Sequence, residues 1–194
     1  MRTQLRTWLL LVVLSVMGGA ALAQEGVSYT VDAMHSGVTF KISHLGLSWV
    51  HGRFDDLAGQ FTVDPQNPAN CSFEFEAKTE SVDTNNRKRD DHLRSPDFFN
   101  AKQFPAITFK STSVRPGQNG YEVTGDLTLH GVTKPVTFLL SGGKTAEFPK
   151  GVHRTGYSAE FSINRTEFGI GIKFAGALAD VVHIEISFEG TQKK

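Results

Sequence analysis

The chain has 194 residues with 20 basic and 20 acidic side chains, and 15 of its residues are phenylalanine. This balance, without a basic stripe, argues against a nucleic-acid partner or an electrostatic grip on an anionic membrane surface. A single cysteine, Cys71, excludes an internal disulfide, so stability must come from an apolar core.

Residues 1–23 read as an export signal. Arg2 and Arg6 form the charged start, Leu9 to Met17 the apolar stretch, and Ala21-Leu22-Ala23 the small-residue site. The stretch is shorter than the ~20 residues of a spanning helix and no later one comes closer, so cleavage after Ala23 and no integral membrane span are expected. The remaining 171 residues, 24–194, make one domain with 18 basic and 20 acidic side chains, a net charge of −2 with histidines neutral.

From there the dominant pattern is period-two alternation, the mark of half-buried strands. A weak strand is predicted over 27–33. Val38, Phe40 and Ile42 then alternate with Thr39, Lys41 and Ser43. A weak segment follows over 52–63. Phe73, Phe75 and Ala77 alternate with Glu74, Glu76 and Lys78, and Cys71 shares their phase as a buried, inert thiol.

Residues 84–101 break the pattern. Thr84 or Asn85 is predicted to cap a helix from Asn86 that Pro96 stops, and Ser95-Pro96 opens a second short turn of helix. The insert is either a lid over one barrel end or an ordinary surface crossover. The basic run Arg87-Lys88-Arg89 meets Asp90-Asp91 directly and reads as a salt-bridged, solvated face.

Alternation returns over 106–114, over 122–129 with Val123, Gly125, Leu127 and Leu129 in the apolar phase, and over 134–141. His130-Gly131-Val132 marks a tight hairpin. Tyr157 to Ile163 and Val182 to Phe188 alternate strongly, with a further weak strand over 168–174. Turn signals fall at Asp64-Pro65, Pro116-Gly117, Asn119-Gly120, Gly142-Gly143 and Pro149-Lys150-Gly151. About nine strands result, eight if short pieces merge, in an antiparallel all-β sheet.

A sandwich, a soluble barrel and an outer-membrane barrel all alternate in this way. The membrane barrel is disfavoured by charged wet faces and by 15 Phe against 3 Tyr and 2 Trp, where a girdle wants Tyr and Trp. An apolar barrel interior is either filled by its own phenylalanines or hollow. An unoccupied void of ~300 Å³ costs about 7 kcal/mol, as much as many domains' whole stability, so a void must be small or occupied.

Four segments carry a resemblance: DAMHSGVTFKISHLG over 32–46, DTNNRKRDDHLRSPDFFNAKQFPAITFKST over 83–112, GDLTLHGVTKPV over 125–136 and INRTEFGI over 163–170. Across the region beyond the signal, the chain resembles the YceI-like, polyisoprenoid-binding family. That resemblance implies an extended eight-stranded antiparallel lipocalin-like barrel with a short helical insert, exported to the periplasm and often a homodimer. It implies a carrier, store or sensor for a polyisoprenoid, quinone-like or fatty-acyl lipid. The competing reading is a structural or stress-protective protein with a packed barrel.

A lipid tail asks only for dispersion and desolvation, which makes Phe40, Ile42, Phe73, Phe75, Phe109, Leu127, Phe138, Phe161 and Ile184 the wall candidates, each with core packing as its alternative role. A headgroup needs donors at a mouth, and His35, Ser36, His44, Arg89, His92 and Arg94 supply them. Arg89 and His92 equally serve to pin the insert through Asp83, Asp90 or Asp97. Catalysis is not expected: no Gly-x-Ser-x-Gly occurs and no Ser/His/Asp spacing stands out. His35, His44 and His51 lack metal-ligand spacing, and neither metal nor cofactor is expected. Asn164-Arg165-Thr166 matches a glycosylation sequon that an exported bacterial protein leaves unused.

Overall fold

A computed structural model gives the structure of residues 26–192; the expected export signal lies outside the described residues. Within them are eleven strands and one α-helix, α1 (Arg87–Arg94). The strands are β1 (Val27–Val31), β2 (Gly37–His44), β3 (Ser48–Phe54), β4 (Leu57–Val63), β5 (Ser72–Lys78), β6 (Val82–Asp83), β7 (Ala106–Gly117), β8 (Gly120–Leu129), β9 (Val132–Glu147), β10 (His153–Asn164) and β11 (Leu178–Gln192). All pair antiparallel. The order β1-β4-β5-β7-β8-β9-β10-β11 closes on itself through β1 and β11, giving a lipocalin-like barrel of eight strands.

Strands β2, β3 and β6 extend that barrel. β11 is long enough to pair with β1 near its end (Val31↔Gly190) and with β2 before that (Phe40↔Ile184), so β1 and β2 are two halves of one interrupted strand. β3 and β4 are likewise interrupted at Asp55-Asp56, and β5 and β6 at residues 79–81. The last two breaks lock together, the amides of Asp55 and Asp56 donating to the backbone oxygen and hydroxyl of Ser81 at 3.2 and 3.1 Å.

The interruptions divide the barrel into unlike ends. At one end the ring is complete, and the inward phase of its strands delivers Tyr29, Phe61, Phe73, Tyr121, Tyr157 and Phe188 to a single aromatic plug. Tyr29 stacks on Phe61 at 5.1 Å between ring centroids, and Phe61 meets Phe188 edge-on at 5.2 Å. Gly190 makes this possible, because any Cβ there would run into the Phe61 ring. At the other end the ring opens. β9 and β10 pair only from Ser141↔Ser158 outward to Glu147↔His153, and β3 meets β6 only at Arg53 and Phe54. Two leaves, β10-β11-β2-β3 and β5-β7-β8-β9, therefore face each other across a gap there.

The apolar phase is inside. The outward phase carries Glu74, which accepts from Lys110 at 2.8 Å and from Gln60 at 3.1 Å, whereas a membrane barrel needs an apolar outer band. None of the helices among the described residues is long and apolar enough to cross a membrane.

Several local expectations are corrected. The predicted 52–63 segment is two strands, and the first begins at Ser48. The 168–174 strand is absent: two 3₁₀ turns occupy that region, with Gly169, Gly171 and Gly176 at positive φ. Gly142-Gly143 is no turn, because β9 runs through it to Glu147 with a register shift opposite. Pro116-Gly117 is also within a strand, the turn coming at 118–119. Asn86, not Thr84 or Asn85, caps α1, its Oδ1 accepting from the Arg89 amide at 3.1 Å. The helix ends at Arg94, and hydrogen-bonded turns rather than a second helix follow Ser95.

Candidate functional site

Between the two leaves lies a cavity of about 170 Å³ whose lining is hydrocarbon apart from Thr108 and the rim residue Arg165. Alternation explains the wall: Phe40 and Ile42 on β2, Phe75 and Ala77 on β5, Phe109 on β7, Leu127 and Leu129 on β8, Phe138 on β9, Phe161 on β10 and Ile184 on β11 all point inward. Phe138 and Phe161 stack at 4.9 Å across the break between β9 and β10, standing in for the missing backbone bonds.

Two covers close the far end. The insert contributes Leu93, Phe98 and Phe99, so it lies over the cavity rather than along the outside. Its attachment is polar: Arg89 donates from Nε to the Thr84 hydroxyl and from Nη2 to the Thr84 carbonyl, both at 2.7 Å. Thr84 in turn donates from its amide to buried Asp90 at 2.9 Å. Arg94 donates to the carbonyls of Glu80 and Val82, each at 2.8 Å. Thr84, the insert's own first residue and offered by the sequence only as a cap, thus holds α1, and Arg94 ties the insert to the barrel.

The second cover is the segment 165–177, with Ile170 and, at its end, Leu178 against the cavity. Its organiser is Arg165, only 3% exposed. All five guanidinium N–H groups are engaged: Nε to Ala179 O at 2.9 Å, Nη1 to Ile170 O and Gly171 O at 2.8 Å each, Nη2 to Leu178 O and Asp180 Oδ1 at 3.1 Å each. The sequence showed Arg165 only as the middle of a sequon. The usable signal was a lone arginine ending an alternating run and entering a glycine-spaced apolar segment, where backbone carbonyls must supply most of its acceptors. Asn164 has its own task, accepting from the Thr166 amide and hydroxyl at 3.1 and 2.7 Å.

The covers latch to each other and to the wall. Asp97 accepts from Lys173 at 2.8 Å and contacts His92 Nε2 at 3.3 Å; Lys173 first, then His92, hold its carboxyl below the usual range. Phe98 stacks on Phe174 at 4.9 Å, and the Gly171 amide donates to Asp97 O at 3.0 Å. His130, at positive φ in the β8–β9 turn, donates from Nδ1 to Phe168 O at 3.0 Å, and Lys134 meets Glu167 at 3.0 Å.

A side opening adjoins the cavity beside α1. A pocket of about 430 Å³ lies between β2–β3 and α1, bordered by His44, Ser48, Val50, Arg89, His92 and Phe174, and it shares Phe40, Ile42, Leu93, Phe98 and Leu178 with the cavity. It is a portal along the part of β3 that no strand covers.

Of the residues singled out from sequence, Phe40, Ile42, Phe75, Phe109, Leu127, Phe138, Phe161 and Ile184 line the cavity. Phe73 shares their phase but is in the plug, where Phe61 lies 5.9 Å from it. Arg89, His92 and His44 border the portal. His35 and Ser36 sit at the interruption between β1 and β2, away from the portal, and Arg94 serves the insert. His35 Nδ1 contacts Asp32 at 2.9 Å, and Ser36 donates to Asp32 O at 2.7 Å. Alternation cannot distinguish the two ends of one inward face, which is why Phe73 was grouped with residues it does not meet; His35 was chosen as a donor within a motif, and a motif carries no position along the barrel.

Polar groups near the plug are satisfied by one another. Asp32, His35 and Glu189 converge, but Arg154 already bridges Asp32 and Glu189, the latter at 3.5 Å. Its guanidinium, followed by His35, lowers the Asp32 pKa to about 2. Cys71 Sγ accepts from the Asp64 amide at 3.2 Å, and burial pushes its thiol pKa up.

Comparison with known proteins matches this geometry to a family. The YceI-like domain family matches residues 29–190. Protein YceI of Escherichia coli O157:H7 is 43% identical over 178 residues, covering 91% of both chains, and a UPF0312 protein of Pseudomonas putida strain W619 is 41% identical over 179 residues with the same coverage. Among solved structures, Burkholderia cenocepacia BcnA superposes with a TM-score of 0.75 at 26% identity, over 82% of this chain and 98% of its own. The Campylobacter jejuni YceI protein gives 0.70 at 31%, over 78% and 90%. A polyisoprenoid binding domain from Saccharophagus degradans, at 17% identity, shares the fold with a TM-score of 0.66 over 86% and 99%. With a match over nearly every described residue and relatives above 40% identity, the chain belongs to the YceI-like family.

Proposed function

We propose that this protein binds the hydrocarbon tail of an isoprenoid or similar amphiphilic lipid between its two leaves, as a carrier, store or sensor in the periplasm. The observation that carries this reading is the hydrocarbon-lined cavity of about 170 Å³. Left unfilled, such a void costs roughly 4 kcal/mol at about 24 cal/mol per Å³, and a well-packed domain of this size has no need to tolerate it. An apolar cavity of ~150 Å³ is enough for benzene, so this one takes one or two isoprene units as it stands. A longer tail continues into the portal.

The portal supports a polar headgroup there. Arg89 engages Thr84 through Nε and Nη2, which leaves Nη1 for a phosphate or hydroxyl, with His92 and His44 on the same border. His35 is too remote to take part. The polyisoprenoid-binding relative lends the fold alone at its 17% identity, so the reading rests on the cavity.

Native mass spectrometry with lipid extraction, on protein purified from its own cell envelope, tests the proposal. One reproducible isoprenoid, quinone or fatty-acyl species per chain is expected, and Phe161→Lys should abolish it by placing a charge in the cavity wall. Protein that is empty as purified, or a Phe161→Lys variant that loads as wild type does, favours the packed, structural role instead.

A further inference from the structure

The turn joining β2 to β3 combines two features that the fold itself does not favour. Leu47 N donates to His44 O at 3.0 Å, closing a turn with Leu45 at φ +54° and Gly46 at φ +69°. A turn with two left-handed residues ordinarily has Asn, Asp or Gly at the first. The other non-glycine residues at positive φ among those described follow that preference or sit near it: Asn85, Asn100, Asn119 and His130. Leu45 alone is aliphatic, in a conformation whose strain asparagine relieves. It is also 55% exposed, and Leu47 beside it is 83% exposed. Backbone geometry and solvation both argue against leucine at this tip.

The tip is not a loose loop. Leu45 N donates to Ala177 O at 2.8 Å, fixing it to the segment whose Ile172 is 52% exposed. The strands it joins carry His44, Ser48 and Val50 on the portal, and the attached segment carries Phe174 and Ala177 there. A little further down β3, exposed Trp49 has Lys41 Nζ 5.5 Å from its ring, an apolar body with a cation able to reach back to water. The apolar projections Leu45, Leu47 and Ile172 thus lie beside the portal, and Trp49 with the Lys41 stem stands on the outer face of the same two strands.

We infer that the β2–β3 tip and the 172–177 segment form a rim that inserts into the headgroup boundary of a lipid bilayer and sets the portal against it. The inference rests on the proposed lipid-binding reading, and the bilayer is the occupant chosen because the rim is continuous with the portal a membrane lipid would use. Attachment is by apolar insertion, consistent with a chain that has no net positive charge.

The test is co-sedimentation with extruded phosphatidylcholine vesicles, with and without phosphatidylglycerol, for wild type and Leu45→Asn/Leu47→Ser. Wild type should partition onto both vesicle types. The double variant should partition at least about tenfold less, as expected from withdrawing two leucines from apolar contact. Its thermal midpoint should rise, because asparagine suits the turn better, and its uptake of geraniol in vesicle-free buffer should be unchanged. Equal partitioning of variant and wild type overturns the inference. So does a wild type that takes up geraniol but ignores vesicles, a result that leaves the cavity reading intact. A concentration-dependent dimer, lost in the variant and without vesicle partitioning, also overturns it and assigns the tip to a second copy of the chain. A wild type that takes up no geraniol defeats the cavity reading and with it the loading role of the rim.

Discussion

The two ends of this barrel are built from the same residue type in the same phase, yet one is solid and the other hollow. In the plug, Phe61, Phe73 and Phe188 meet Tyr29, Tyr121 and Tyr157 inside a complete ring of strands. In the hollow end, Phe40, Phe75, Phe109, Phe138 and Phe161 line walls whose strands have separated into two leaves. Phenylalanine content therefore does not decide whether a barrel has room for a guest. Strand closure does: where the ring is complete the inward side chains fill it, while the unpaired stretches of β3, β9 and β10 leave a cavity between the leaves even though Phe138 and Phe161 still stack across one break.

That contrast is most exposed to Arg165, which organises the cover of the hollow end. Arg165→Leu should cost roughly 3–5 kcal/mol, because the carbonyls of Ile170, Gly171, Leu178 and Ala179 lose their donors in a buried setting. Chemical denaturation measures it, and a loss below 1 kcal/mol would show that the cover holds by packing alone.

Next comes a matched pair of deletions. Phe73→Ala in the plug should cost about 3–5 kcal/mol. Phe109→Ala should cost less, since its ring already borders a void on one side, and it should widen the cavity for bulkier tails. Equal losses, with unchanged selectivity between short and branched hydrocarbons, would erase the distinction between the ends.

Acid should act on both ends through carboxylates held below their ordinary pKa. Asp32 is held at about 2 by Arg154, so its contribution is complete above the unfolded carboxylate pKa near 4 and is lost as pH falls toward 2. Arg154→Gln should flatten the fall in stability across that window, and an unaltered pH profile would remove the pair from the account.

The smallest effect belongs to the latch. Asp97 joins Lys173 to His92 at a partly exposed site, so Asp97→Asn should cost less than about 1 kcal/mol of global stability. Amide exchange in 95–104 and 165–177 should nevertheless quicken, with exchange in the plug unchanged. Uniform acceleration throughout would mean that the covers do not open as a unit.

Much of this was legible beforehand. Alternation at Phe40, Phe75, Phe109, Phe138 and Phe161 placed those rings on the inward face, and the polar break at 84–101 located the insert. Phe73 was grouped with the cavity residues because periodicity assigns a face and not a height along the barrel, and His35 was grouped with the portal donors because a motif does not say where along the barrel it lies. The strand predicted over 168–174 failed for a different reason: Phe168, Ile170, Ile172 and Phe174 do alternate, but glycines at 169 and 171 adopt positive φ and fold the segment around Arg165.

The sequence by itself determined an antiparallel sheet with one apolar and one charged face along each strand, and the charge of the second face, with the scarcity of girdle aromatics, argued that the apolar face is turned inward. Its motifs also pointed to the family. Only the tertiary structure decided where the inside is empty, which polar residues border the opening, and that leucines at 45 and 47 stand beside it. Those facts depend on which strands stop pairing and where. Pairing is a contact between distant segments, and no local pattern in either segment records it.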